Sequence, residues 1–212
     1  MNNEMKKHIN IALKLAIICF IAILLLTITN LLTKNTIEKH EKNTENKANK
    51  VIFPEGVNFE KKNFSNIKTD SYYYTVSNSK NELIGYIVST VAKGYGGEMK
   101  LIIGFEKNLE IKNMKLLTNN ETPGIGKKAE SDSYMQKFIG SNTDSKPFPQ
   151  KKGQLSSKDS DSITGATITF NGITNATKDA IYLLSIQQDV IKNSVNTNNN
   201  VPDNTLENNL ME

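Results

Sequence analysis

From Ile11 to Leu32 the chain reads IALKLAIICFIAILLLTITNLL, with one charge, Lys14, near its start and an unbroken apolar run from Leu15 to Leu26. About 20 apolar residues at roughly 1.5 Å rise cover the hydrocarbon core of a bilayer, so residues 11–33 are expected to form a single membrane-spanning anchor behind a short tail, residues 1–10. A cleaved signal peptide would share the basic start. The run ends in Thr27-Ile28-Thr29-Asn30-Leu31-Leu32, however, with no A-x-A-like site, and Cys19 follows Ile17-Ile18 where lipid attachment needs a small residue. The anchor is therefore expected to be retained.

Residues 34–50, KNTIEKHEKNTENKANK, hold almost no apolar side chains and read as a polar stalk. At the other end, residues 193–212 are Asn-rich, too polar to bury a core, and are expected to be disordered. Residues 51–192 remain as the folded unit. Its first half is rich in Ile, Val, Tyr and Thr over Tyr72–Ser77, Leu83–Lys93, Met99–Phe105 and Ile111–Leu117, separated by polar or Gly-rich breaks, which predicts an antiparallel meander. The second half turns helical. Tyr134–Ile139 is a short candidate, and from Ile173 the residues Ile173, Ala176, Ala180, Ile181, Leu184 and Ile191 recur at three-to-four spacing on one face. Strands followed by a closing helix, without βαβ alternation, predict an α+β domain with an antiparallel sheet packed by helices.

Composition narrows the chemistry. The 212 residues suffice for one ordinary domain plus appendages. Both histidines, His8 and His40, precede the folded unit, which leaves that unit without a Ser-His-Asp site or a His-rich zinc site. One cysteine, Cys19, builds no disulfide framework, CxxC pair or self-ligated iron-sulfur cluster. The formal charge of +4 comes from 26 lysines with no arginine, and the lysines alternate with Glu, Asp and Asn, so no nucleic-acid surface is expected. A basic tail ahead of the first apolar run orients the N-terminus inside and the folded unit outside the cell, although three lysines before the anchor against five after it run the other way.

Three glycine-containing segments could carry chemistry. Lys93-Gly94-Tyr95-Gly96-Gly97 starts like a dinucleotide fingerprint, but Met99 holds the third glycine position and a strand follows, so it reads as a tight turn or as a loop kept small for a flat ligand. Glu121-Thr122-Pro123-Gly124-Ile125-Gly126-Lys127-Lys128 lacks both the first Gly and the Ser or Thr of a P-loop, and Pro123-Gly124 fits a type II turn. Asp161-Ser162-Ile163-Thr164-Gly165-Ala166-Thr167 reads either as a helix entry or as a segment whose small Gly165 and Ala166 leave the Thr167 hydroxyl open beside a helix start that favours phosphate.

The last segment resembles the D-x-x-[S/T]-G-A-T flavinylation motif, in which a flavin transferase moves FMN from FAD onto the final Thr as a phosphoester. Five specified positions arise by chance in a chain of this length on the order of once in a few thousand. Glu121 to Gly126 is similar to the E-T-P-G-[L/I]-G loop of the FMN-binding domains in Rnf electron-transport complexes and sodium-translocating NADH:quinone reductases. Gly94-Tyr95-Gly96-Gly97 resembles their G-Y-x-G segment. Anchor, stalk, strand, loop and motif come in that order over residues 10–192, and the compact length resembles the G-subunit family of Rnf complexes more than the longer C-type component of the quinone reductases.

The resemblance implies an electron carrier within an ion-translocating ferredoxin:NAD oxidoreductase, a translocase whose other membrane subunits would be its partners, with a flavin transferase needed for maturation. It implies covalent FMN on Thr167, with Asp161, Thr164, Gly165 and Ala166 in the motif, Thr164 and Gly165 near the phosphate, and Glu121, Thr122, Pro123, Gly124, Ile125 and Gly126 lining the isoalloxazine. Thr169 is the rival attachment point. No arginine exists to hold the phosphate, so backbone N–H groups or lysines must serve. A free-standing extracellular flavoprotein and an anchored extracellular binding domain without flavin are the other readings that these residues allow.

Overall fold

The computed structural model describes residues 3–65 and 69–198. The chain divides into two units, residues 1–47 and residues 48–212. The first helix, α1 (Asn3–Ile52), begins in the former and ends in the latter. Within the first unit it is long and apolar enough to cross a membrane, and its Ile, Leu and Phe side chains from Ile9 to Leu32 are exposed.

In the second unit five strands form one sheet: β1 (Asn58–Asn63), β2 (Tyr72–Ser77), β3 (Leu83–Lys93), β4 (Glu98–Glu106) and β5 (Ile111–Leu116). Spatial order follows chain order and every pair is antiparallel, the meander that the sequence predicts. The strands are followed by short helices α2 (Asp132–Met135) and α3 (Ser157–Ser162), and by the long α4 (Thr167–Asn198).

Both faces of the sheet are covered. Tyr73, Tyr86, Val88, Leu101, Ile103 and Phe105 pack into the main core with Phe170, Ile173, Ala176, Ala180 and Leu184 of α4. On the opposite face Tyr74, Val76, Ile87 and Ile102 pack with Ala48, Ile52 and Phe53. Neighbours such as Ile87 and Val88 thus point to opposite sides and are both fully buried, which is why β3 and β4 read as continuous apolar runs and not as alternation.

Three boundaries differ from the expectation. The stalk was expected to run to residue 50, but Ala48, Asn49 and Ile52 are buried, so the folded unit begins at Ala48; two apolar side chains one turn apart are enough to commit that turn to the sheet. Helix α4 begins six residues before Ile173, at Thr167. It also continues through Asn198, past the expected start of the tail at 193, because extending an existing helix adds a hydrogen bond per residue without a new nucleus. The remainder of the expected tail, 199–212, lies outside the described residues.

Candidate functional site

Helix α4 crosses β3 closely at Gly172, where a side chain would run into the Lys93 backbone carbonyl. That crossing sets the first turn of α4 beside the β3–β4 connection, Gly94 to Gly97. The connection is a tight turn closed by the Gly94 N–H donating to the Gly97 carbonyl at 2.9 Å, with Gly97 at φ 124°.

The segment from Asn119 to Gly126 meets both. Asn119 Oδ1 accepts from the Glu121 backbone N–H at 2.9 Å, and the Thr122 carbonyl accepts from the N–H groups of Ile125 and Lys127 at 3.2 Å each. Gly124, at φ 75°, takes the left-handed conformation that the Pro123-Gly124 turn requires. Glu121 then turns inward. Only 4% exposed, its Oε1 accepts from the Gly96 N–H at 2.6 Å and its Oε2 from the Thr169 hydroxyl at 2.5 Å. One carboxylate therefore joins the β3–β4 turn, the Glu121 loop and α4. Side chains at Gly94 or Gly126 would collide with its oxygens, so the absence of Cβ atoms there makes room for the carboxylate.

The Asp161 segment adjoins the same loop at Ile125. Ser156 caps α3, accepting from the Asp159 N–H at 3.2 Å, and the Lys137 ammonium lies 4.0 Å from the Asp159 carboxylate. Burial lowers the Lys137 pKa and the Asp159 charge opposes that shift. After α3, fully buried Ile163 pins the chain to the core and its carbonyl accepts from the Ala166 N–H at 2.9 Å. Gly165 sits at φ 85°, and the Ala166 carbonyl accepts from the Phe170 N–H, opening α4. The position of a Cβ on Gly165 would lie 3.8 Å from Ile125 Cγ2, so the two motif segments are neighbours.

Each candidate residue has a definite environment. Thr167, first in α4, is exposed, as are Asp161, Thr164 and Gly165, whereas Ala166 is buried. The Thr164 hydroxyl accepts from Lys152 Nζ at 2.9 Å; the Asp161 carboxylate makes no side-chain hydrogen bond among the described residues. Thr122, Pro123, Gly124 and Ile125 are exposed, while Glu121 and Gly126 are buried behind them. Thr169 is 1% exposed. Two residues along a helix is a rotation of about 200°, so Thr167 and Thr169 face opposite ways. Exposed apolar side chains belong to the same three segments: Tyr95 at 76%, Ile125 at 45% and Ile168 at 54%.

Glu121, which the sequence groups with the ring-lining loop, has its carboxylate enclosed and bonded to Gly96 and Thr169. Once α4 is seen to begin at Thr167, Thr169 falls on the helical face of Ile173 and Ala176 at i+4 and i+7, which accounts for its burial. Tyr134 and Lys152 gave no signal. The Tyr134 hydroxyl is buried without a hydrogen-bond partner among the described residues, and burial, then the Glu121 charge, push its pKa upward.

Residues 94–182 match the family described as FMN-binding domain. The chain is 28% identical to the G component of the proton-translocating ferredoxin:NAD(+) oxidoreductase complex of Clostridium ljungdahlii, covering 79% of this chain and 86% of that one. It is also 28% identical to the G component of the Na(+)-translocating ferredoxin:NAD(+) oxidoreductase complex of Acetobacterium woodii, over 81% and 89% of the two chains. Among solved structures, that of Shewanella oneidensis NqrC matches at 26% identity over 58% of this chain and 62% of the other, with a TM-score of 0.43.

Proposed function

We propose that this chain, whose residues 94–182 belong to the FMN-binding domain family, is the membrane-anchored flavoprotein subunit of an ion-translocating ferredoxin:NAD oxidoreductase complex, with FMN carried on Thr167. The observation that carries the reading is the contrast between the two hydroxyls. Thr167 is exposed at the head of α4, whereas Thr169 is buried and donates to Glu121.

The attachment is a phosphoryl transfer. Thr167 Oγ1 attacks the flavin-side phosphorus of FAD, a new O–P bond forms, the pyrophosphate P–O bond breaks, and AMP leaves. The hydroxyl proton goes to a base on the flavin transferase. No electrons are exchanged in this step.

The site's residues fit such a group. Exposed Tyr95, Ile125 and Ile168 offer apolar surface to a flat ring, and the Lys152 ammonium bonds to Thr164 in the segment that leads into the first turn of α4. Bound FMN supplies one- and two-electron chemistry, so the chain itself needs no acid or base. Thr122, Pro123, Gly124 and Ile125 form the ring-facing surface, with Glu121 and Gly126 supporting it from behind. Thr164 and Gly165 flank the phosphate, Ala166 packs beneath it, and exposed Asp161 is left for the transferase to read. Residues 11–33 anchor the protein and residues 48–192 carry the flavin on the extracytoplasmic side, where a covalent bond prevents loss of a cofactor that could not be replaced.

Intact mass and in-gel flavin fluorescence of the full-length chain, co-produced with a flavin transferase, test the reading. One FMN-phosphoryl adduct that maps to Thr167 and disappears in Thr167→Val is expected. An unmodified, colourless wild-type chain under those conditions would sink it.

A further inference from the structure

The lysines of the folded unit that face other side chains fall into three sets: those held by carboxylates; Lys50 and Lys61, which lie over the Phe59 and Tyr72 rings; and Lys152. Lys112 is held by Glu55 and Glu106 at 2.9 and 2.7 Å, Lys127 by Glu130 at 3.8 Å, and Lys137 by Asp159. Lys152 instead meets a neutral hydroxyl, Thr164 Oγ1 at 2.9 Å, and has no carboxylate within ion-pair distance among the described residues. Its backbone is fixed in the short turn Lys152–Gln154. Gln154 Oε1 accepts there from the N–H groups of Gln150 and Lys151 at 2.7 and 2.9 Å.

We propose that Lys152 receives the flavin phosphate, its ammonium turning from the Thr164 hydroxyl to the phosphoryl oxygens as the ester forms on Thr167. The inference rests on the covalent reading above. An ammonium has three donors, and one is used here. Thr164 directs its own hydroxyl proton to the Ser160 carbonyl at 3.4 Å, so its oxygen holds Lys152 as an acceptor. Thr167 lies three residues on, within about 11 Å even along an extended chain, and the turn through Gly165 shortens that span. The phosphodiester left on Thr167 carries one negative charge, which the uncompensated ammonium balances. With no arginine anywhere in the chain, no guanidinium competes for the role. The first turn of α4 acts in the same direction, but Lys152 supplies the full charge.

The test uses full-length chain purified in detergent from a host without a flavin transferase, then mixed with purified transferase and FAD. The initial rate of covalent fluorescence is followed against chain concentration, at low and at raised ionic strength. Lys152→Gln is expected to lower kcat/KM about tenfold, the loss of one charge-assisted contact. Lys152→Arg should restore most of it, and Lys151→Gln should match wild type. The wild-type rate should fall with salt more steeply than that of Lys152→Gln, a response that a purely structural role would not produce. The Lys152→Gln domain should melt within about 2 °C of wild type, as expected of a surface change. Flavinylation at Thr167 that is indifferent to Lys152→Gln overturns this inference alone. So does a rate loss that Arg does not rescue and that tracks a lowered melting temperature. A wild-type chain that takes up no flavin overturns the covalent reading and this inference together.

Discussion

The buried bond between Thr169 and Glu121 makes the two threonines of α4 separable by experiment. Thr169→Val keeps shape and branching but removes the donor that Glu121 Oε2 accepts from at 2.5 Å. At 4% exposure Glu121 has little access to water as a substitute. A hydrogen bond to a charged group is worth about 1.5–3 kcal/mol, and a unit of roughly 150 residues shifts its Tm by about 2–4 °C per kcal/mol. The expected loss is therefore about 3–12 °C. Thr167→Val, at an exposed position, should stay within ~0.5 kcal/mol, or about 2 °C.

All seven tyrosines, from Tyr72 to Tyr182, lie in the folded unit, so the tyrosine band of the near-ultraviolet circular dichroism of the full-length chain in detergent reports on that unit. Flavin fluorescence on the same samples completes a double dissociation. Thr169→Val should be destabilised and still flavinylated, whereas Thr167→Val should be stable and colourless. Glu121 itself gives a graded series. Gln can accept from Gly96 and donate to Thr169, costing about 1 kcal/mol, while Ala leaves the buried Thr169 hydroxyl and the Gly96 N–H without their acceptor and opens a void, costing about 3 kcal/mol or more. A Thr169→Val protein that melts with wild type would refute the carboxylate clasp. One that melts with wild type but loses its flavin would place the attachment at Thr169.

Tyr134→Phe removes a buried hydroxyl that has no partner among the described residues, so chemical denaturation should show a gain of up to about 1 kcal/mol. Because burial raises the Tyr134 pKa, the wild-type domain keeps its proton above pH ~10 while the unfolded chain loses its own, so stability falls as pH rises from there. The alkaline limb should be shallower in the Phe variant. Gly126→Ala, whose Cβ would press on Glu121 and Thr169, should cost about 1–3 kcal/mol in a thermal melt, whereas Gly124→Ala meets open space and should cost about 1–2 kcal/mol from its φ of 75° alone. The hydrogen bond from Lys112 is the leading cause of a lowered Glu55 pKa, a contribution present above the unfolded carboxylate range and lost as pH falls through the folded pKa. Lys112→Met should flatten the acid limb of a pH–stability curve below about pH 4.5, slightly, since the Glu55 side chain is half exposed.

Strands β2 and β3 were readable residue for residue, because burial on both faces makes apolar content dense whatever the pairing. β1 was not. Its sequence, NFEKKN, lies at the sheet edge, pairs only with β2 and keeps mostly exposed side chains, so only the register Asn58↔Ser77 to Asn63↔Tyr72 makes it a strand. The start of α4 was hidden by residues with little helix preference, Thr167, Thr169, Asn171 and Gly172, ahead of the apolar repeat. Contacts between distant segments were also hidden. Glu121 and Thr169 are 48 residues apart, and no local pattern announces that a loop carboxylate will be enclosed.

The glycines of the two loops show how a turn reading and a ligand reading can each be incomplete. Gly97 and Gly124 adopt positive φ and serve their turns, as local sequence suggested. Gly94 and Gly126 do not: they are small because Glu121 occupies the space their side chains would fill. Two glycines of the loops around the proposed flavin thus serve an internal carboxylate, and the carboxylate holds the loops that present Tyr95 and Ile125 outward. A substitution at either glycine should disturb flavin binding only by moving Glu121. The same substitution in a Glu121→Ala background, where the space is already vacated, should therefore cost less than it does alone, and a strictly additive double mutant would show that the cage and the carboxylate are independent.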